Sequence, residues 1–267
     1  YYAAFRVPDF LFVTVASVVS LSVLIPFIIE KEGESRDSLR SFIDEIFSFF
    51  MILMVLVAGV TYFFMPAISA FLYKGLSPEA LEQVVALSRL LLLSPIILGL
   101  SNLFGSITQA YNRFTIYALA PLLYNAGIIF GIIALAEKLG VVGVALGVLV
   151  GAVLHALVQV PFIYKSGLLP RPTLRFDFSL ISRVVKISLP RTLTLSMSSL
   201  ALLFLVALAS LMAEGSISIL SFSTNLMGVP LSLIGVSYSL AAFPTLSRKF
   251  QEKNISAFLD HMRENSR

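Results

Sequence analysis

Arg191, in the run SLPRTLTLS, puts a guanidinium inside an otherwise apolar stretch. A charge at such a place is costly and marks a candidate for function. Its planar fork can hold a phosphate-type anion bidentately in a hydrated cavity, or it lies near a helix end and snorkels to the interface. Pro190 beside it fits the first turn of a helix as well as it fits a kink. Arg6, in FRVPDFL, is a further cationic candidate for the same kind of ligand. Asn125 (PLLYNAG) and Asn225 (STNLMGVP) set amides in apolar stretches. The plainer role for such an amide, above all for Asn125, is an interhelical hydrogen bond worth about 0.6–2 kcal/mol. Ser199 ends a hydroxyl set (Thr192, Thr194, Ser196, Ser198, Ser199) that either lines a polar path or bonds back to its own helix. His155 and Gln159 lie four apart on one helical face. With no acidic group beside them they read as a packed polar pair rather than a proton relay.

Other chemistries find no constellation. Cys is absent, which removes disulfides and thiolate metal sites, and His155 and His261 form no ligand cluster. The acidic residues are expected in connections and tails, so no paired carboxylates or Ser/His/Asp set would lie within the apolar runs, and neither enzymatic activity nor a cofactor is expected. Gly143, Gly147 and Gly151 form a small-residue stripe at helical spacing, and Gly127 and Gly131 a second. Both read as packing devices that let helices cross closely. GVVGVALG lacks the preceding strand and following acid of a nucleotide loop.

The elements that must position these groups are helices in a bilayer. Hydrophobic residues make up 58% of 267 positions and charged residues 13%, too few to cover a soluble domain. The apolar runs reach the roughly 20 residues that cross a hydrocarbon core, and a helix satisfies its backbone internally. Seven spans are expected, at 10–29, 43–64, 84–110, 116–136, 141–163, 184–211 and 217–243, giving an all-α, polytopic helical bundle. Lys31, Arg36, Arg40, Arg113, Lys165, Arg171, Arg175, Arg183, Lys186 and the basic residues of the tail fall on one side. Only Arg6, Lys74, Arg89 and Lys138 fall on the other, so the first side is cytoplasmic. The net charge of +4 follows from those loops and does not indicate nucleic acid. The stretch Tyr164–Arg183, with Pro170 and Pro172, is the expected lobe boundary. Residues 1–165 then form a first lobe of five spans, 166–183 a cytoplasmic linker, and 184–267 the start of a second lobe with a charged tail from Phe250. Val7–Pro26 and Val229–Pro244 share a Val-Pro start, a Ser-rich body and a Pro exit into charge. Six spans apart, they cross in the same direction, as in a parallel repeat with a substrate path between two lobes. On that reading both ends of the chain fall inside repeats.

Thr108–Gly131 (TQAYNRFTIYALAPLLYNAGIIFG), Ser188–Arg248 with its AEGSIS turn and FPTLSR, FRVPDFL and Val142–Gly167 together resemble the MurJ/MviN family of lipid II flippases. That family lies in the multidrug/oligosaccharidyl-lipid/polysaccharide exporter superfamily. The resemblance implies a two-lobe transporter of fourteen helices, of which these would be the second to eighth. It implies movement of an undecaprenyl-pyrophosphate-linked saccharide to the outer leaflet of the bacterial plasma membrane by alternating access, with membrane lipids as partners and a coupling ion unassigned. It also implies a central cationic cavity. Here the chain departs from the pattern: Phe12-Val13 stand where members carry a basic pair, Ala16-Ser17-Val18 where they carry A-E-G, and Asn225 where they carry arginine. A related polysaccharide-lipid or drug exporter, or a membrane scaffold without transport, are the other readings.

Overall fold

The computed structural model describes residues 1–16 and 21–236. Helices α1 (Tyr2–Val15) and α2 (Leu21–Glu34) lead into α3 (Arg36–Leu72), α4 (Pro78–Leu91) and α5 (Leu93–Ala110). Then come α6 (Phe114–Phe130), a π-helical turn at Gly131–Leu135, α7 (Ala136–Leu139), α8 (Val141–Leu157), α9 (Val160–Lys165), α10 (Phe178–Ala209) and α11 (Ser216–Pro230), the last running into a second π turn at Leu231–Val236. No strand occurs among the described residues.

Local chemistry explains where the helices start. Ser35 caps α3 by accepting from the Ser38 amide, and Ser77 caps α4 from the Ala80 amide with Pro78 in its first turn. Asp177 caps α10 by accepting from the amides of Ser179 and Leu180. Gly140 (φ 58°) turns the chain between α7 and α8, a left-handed step that glycine takes without strain.

Six helical stretches among the described residues are long and apolar enough to cross a membrane, and they coincide with the second to seventh expected spans. Phe63 is 77% exposed and Ile133 74%, side chains that only lipid would solvate favourably. The first expected span falls on α1 and α2, with residues 17–20 between them outside the described residues. The end of the seventh span, the repeat's second copy from Ser237 onward and the tail from Phe250 also lie outside them.

Two local expectations are corrected. Helix α10 begins at Phe178 rather than near Val184, so Pro190 sits in its interior and not in its first turn. The Asp177 cap supplies the start that the apolar run alone places too late. Asp9, expected in a connection, lies within α1. The apolar run starts at Phe10, but the helix starts two turns earlier.

The contacts group Tyr1–Glu214 into one compact unit and the residues from Gly215 onward into a second. Within the first unit, a core at the end that carries Lys31 and Arg36 joins Leu24, Phe27 and Ile28 of α2 to Phe42, Ile46 and Phe50 of α3 and to Leu103 and Ile107 of α5. A smaller cluster at the other end brings Val7 of α1 against Met65, Leu92 and Leu203. In the second unit, α11 buries Ser221 and leaves Leu226 and Met227 exposed.

Prolines inside spans free carbonyls that water cannot reach, and side chains take them up. Pro8 has no N–H for the Ala4 carbonyl, which instead accepts from Ser88 Oγ at 2.9 Å. Pro66 likewise frees the Tyr62 carbonyl, which accepts from Arg89 Nε at 3.1 Å.

Candidate functional site

Helices α1 and α10 run antiparallel along one seam of the first unit, with Val7 against Leu203 near its outer end. Helices α1 and α10 carry three of the candidate residues, at different heights. Arg191 is exposed and lies eight residues beyond Arg183 on α10. Arg183 pairs with Glu30 and stacks 4.8 Å from the Phe27 ring, at the end of the unit that carries Lys31 and Arg36. At 1.5 Å per residue Arg191 is about 12 Å deeper. Ser199 is half-buried a further two turns along. Arg6 lies at the level of Leu203, about 18 Å beyond Arg191 by the same rise. The structure therefore spreads the cations along these two helices instead of gathering them at one point.

Arg6 acts electrostatically on both Asp9 and Tyr73. The Tyr73 hydroxyl donates to the Ala3 carbonyl at 2.9 Å, which ties the outer end of α3 to α1. Asp9 is exposed into a cleft of about 30 Å³, room for one water-sized group, lined by Phe5, Pro8, Phe12, Ser94, Leu98 and Tyr124 among others. Sequence reasoning missed this carboxylate. The signal that finds it is the three-residue spacing from Arg6, which sets both on one face only if the helix already runs through Val7 and Pro8. Phe12, at a position where a cation was expected, lines the same cleft.

The remaining candidates lie elsewhere. Asn125 is exposed on α6 and donates to the Pro121 carbonyl of its own helix at 3.0 Å, so the interhelical bond expected of it is not the one formed. Asn225 is exposed on α11 of the second unit. Of the α10 hydroxyls, Thr194 bonds back to the Pro190 carbonyl at 3.0 Å.

His155 and Gln159 form a packed network. Ser101 Oγ lies 2.6 Å from His155 Nδ1, and Gln159 Nε2 donates to Ser101 Oγ at 2.7 Å and to the Ser101 carbonyl at 3.2 Å. Fully buried Gln159 thus pins α5 to the α8–α9 junction. The two glycine stripes face each other. A Cβ on Gly127 would meet the Gly151 Cα at 2.3 Å, and one on Gly131 would meet the Gly147 Cα at 2.4 Å. Gly143 abuts the Leu135 carbonyl in the same way. Backbones of α6 and α8 touch along this line, as small-residue stripes permit.

The segment after α9 runs extended along α3. The amides of Arg171, Thr173 and Asp177 donate to Asp44 Oδ1 (2.7 Å), Ser48 Oγ (2.8 Å) and Glu45 Oε2 (2.8 Å). Arg36 reaches the Ser166 carbonyl and, at 2.9 Å, the Tyr111 hydroxyl, which itself donates to Glu32. Burial, then the bond to Glu32, pushes the Tyr111 phenol above its ordinary range. Hydrogen bonds from Lys31 and then Ser38 hold the Glu34 carboxyl below its own.

The family model for "Lipid II flippase MurJ" matches residues 1–267. The chain belongs to this family. It is 26% identical to the "Probable lipid II flippase MurJ" of Buchnera aphidicola subsp. Acyrthosiphon pisum, over 94% of this chain and 50% of that relative. It is also 26% identical to the "Lipid II flippase MurJ" of Burkholderia cenocepacia, over 97% of this chain and 53% of that one. A solved "Lipid II flippase MurJ, inward closed conformation" superposes with a TM-score of 0.79 at 23% identity, covering 99% of this chain and 54% of the other, which establishes the shared fold. The chain spans about half the length of the curated relatives it matches. It is an all-α, multi-pass membrane protein with the fold of MurJ.

Proposed function

We propose that this chain is the part of a lipid II flippase that carries one lobe and the first helices of the next, in the bacterial plasma membrane. Its cargo is the undecaprenyl-pyrophosphate-linked peptidoglycan precursor, moved from the cytoplasmic to the outer leaflet by alternating access. Family membership over the whole chain is the observation that carries this reading. The heights of the two cations along α10 and α1 support it. A charge about 12 Å below the Arg183–Glu30 pair is beyond easy snorkelling, and a guanidinium there suits a pyrophosphate entering from the cytoplasm. Arg6, near the outer end, provides a second cationic position along the same path. Residues 1–165 act as one lobe, 166–183 as its linker and 184–267 as the start of the next.

The test is reconstitution of the whole protein in vesicles with labelled lipid II in the inner leaflet. Translocation should occur, and Arg191→Gln should weaken headgroup binding by ten- to a hundredfold, the worth of a charge-assisted hydrogen bond of about 1.5–3 kcal/mol. No translocation by the unaltered protein, with no rescue of flippase-depleted cells, would reject the cargo.

A second reading rests on Asp9. A carboxylate beside Phe5, Phe12 and Tyr124 is the pattern that holds one ammonium-sized group, so an organic cation carried by a drug exporter of the same superfamily would place its charged group there and its body outside the cleft. Competition by an organic cation that Asp9→Asn abolishes, with no competition by a lipid pyrophosphate, would favour it.

A further inference from the structure

Arg89 does not belong to the α1–α10 seam. It lies on α4 seven residues beyond Glu82, about 10 Å further into the span, where α4 and α5 run beside α3. Its Nε is committed to the Tyr62 carbonyl that Pro66 leaves without a helical donor, and its guanidinium lies 4.6 Å from the Tyr62 ring. Those two contacts fix the plane of the group. Both Nη nitrogens are left without a hydrogen-bond partner among the described residues, and no carboxylate lies within ion-pair distance. The guanidinium borders an apolar groove of about 620 Å³ whose walls include Val55, Gly59, Leu93 and Ile96. Val55 and Leu93 are half exposed, and a Cβ on Gly59 would touch nothing within 4 Å, so the groove is open there.

We propose that this groove is a binding site for an anionic glycerophospholipid, with its phosphate on the two Arg89 Nη groups and an acyl chain along Gly59 and Ile96. A fixed cation in apolar walls requires a counter-charge. An amphiphile brings an anion to this depth, because its chain takes the groove while its phosphate stays at the interface toward which arginine extends. The fork geometry matches a phosphodiester, which accepts two parallel N–H bonds. By the charge of the connections, the lipid belongs to the outer leaflet. Pro66 thus has two effects: it frees the carbonyl that orients Arg89 and so aims the remaining donors outward.

The test is lipid titration of the purified full chain in detergent, read by native mass spectrometry and by thermal shift. The probes are phosphatidylglycerol, phosphatidylcholine and inorganic phosphate. Phosphatidylglycerol should bind at least tenfold more tightly than phosphatidylcholine. Arg89→Gln should abolish that preference. Gly59→Leu, which fills the groove and leaves the Arg89–Tyr62 bond in place, should weaken both lipids. Inorganic phosphate should not compete. Equal binding of the two lipids, an unchanged preference in Arg89→Gln, or displacement by inorganic phosphate would each overturn the proposal. If Arg89→Gln does not fold, the Gly59→Leu arm decides, and unchanged lipid binding there rejects the site.

Discussion

Gly131→Ala tests whether backbone contact between α6 and α8 holds the first unit together. The added methyl would stand 2.4 Å from the Gly147 Cα and 3.0 Å from the Gly143 carbonyl oxygen. Ordinary carbon–carbon contact is about 3.5–4.0 Å, so the helices must part by about 1 Å or more. Both obstacles are backbone, and no side chain can rotate away. Gly127→Ala meets the Gly151 Cα and N at 2.3 Å each. Overpacking of this kind costs about 1–3 kcal/mol per site, against a gain of up to about 1 kcal/mol in helix propensity. With backbone obstacles that cannot rotate away the upper part of that range applies, so each single variant should lose about 1–2 kcal/mol. The double variant should lose less than the sum, because one parting of the helices relieves both clashes. Thermal unfolding in detergent reads these losses. Gly59→Ala, whose methyl meets nothing, is the internal control and should be neutral or slightly stabilised. A Gly131→Ala protein that melts with the unaltered chain, or a Gly59→Ala protein that falls as far, would refute the reasoning.

Gln159→Leu should cost about 1–2 kcal/mol by removing the bonds of its amide to the Ser101 hydroxyl and carbonyl and to the Thr108 hydroxyl, and a double-mutant cycle with Ser101→Ala should show strong coupling. Asp44→Ala with Glu45→Ala should release the segment after α9 and speed tryptic cleavage at exposed Arg175 by about tenfold or more, the effect of losing two hydrogen bonds to charged acceptors. Because Glu34 has a folded-state value below its ordinary 4.5, its bonds to Lys31 and Ser38 contribute fully above that pH and fade as pH falls through the lowered value. Glu34→Gln should remove this acid-range dependence from the unfolding profile.

The second to seventh spans were legible because a bilayer demands length and apolarity, which a sequence displays directly. Boundaries were less so. Apolar runs place α10 at Val184, whereas the helix starts where Asp177 can cap it. The same limit hid Asp9, since polar turns can extend a helix beyond its apolar run. The glycine stripes announced close packing, but a stripe names a face and not its partner, and the pairing of Gly131 with Gly147 needed the antiparallel register. Ser101 carried no signal at all: an isolated serine becomes part of a network only once Gln159 and His155 are opposite it. The cationic candidates were found by type, but their spacing along the seam depends on how α1 passes α10.

The segment after α9 is held to α3 through its own amides. Pro170 and Pro172 alternate with the donors Arg171 and Thr173, so the residues that cannot donate fall where no acceptor waits. The exposed side chains of Arg171, Leu174 and Arg175 are thereby released from the task of docking, which Leu168 before them, packed in the core, and Asp177 after them, capping α10, still perform. Composition there can drift widely between relatives while the path stays the same, and what selection must exclude is a proline at 171, 173 or 177. Such a stretch would look unrelated in a comparison of sequences and superimposable in a comparison of folds.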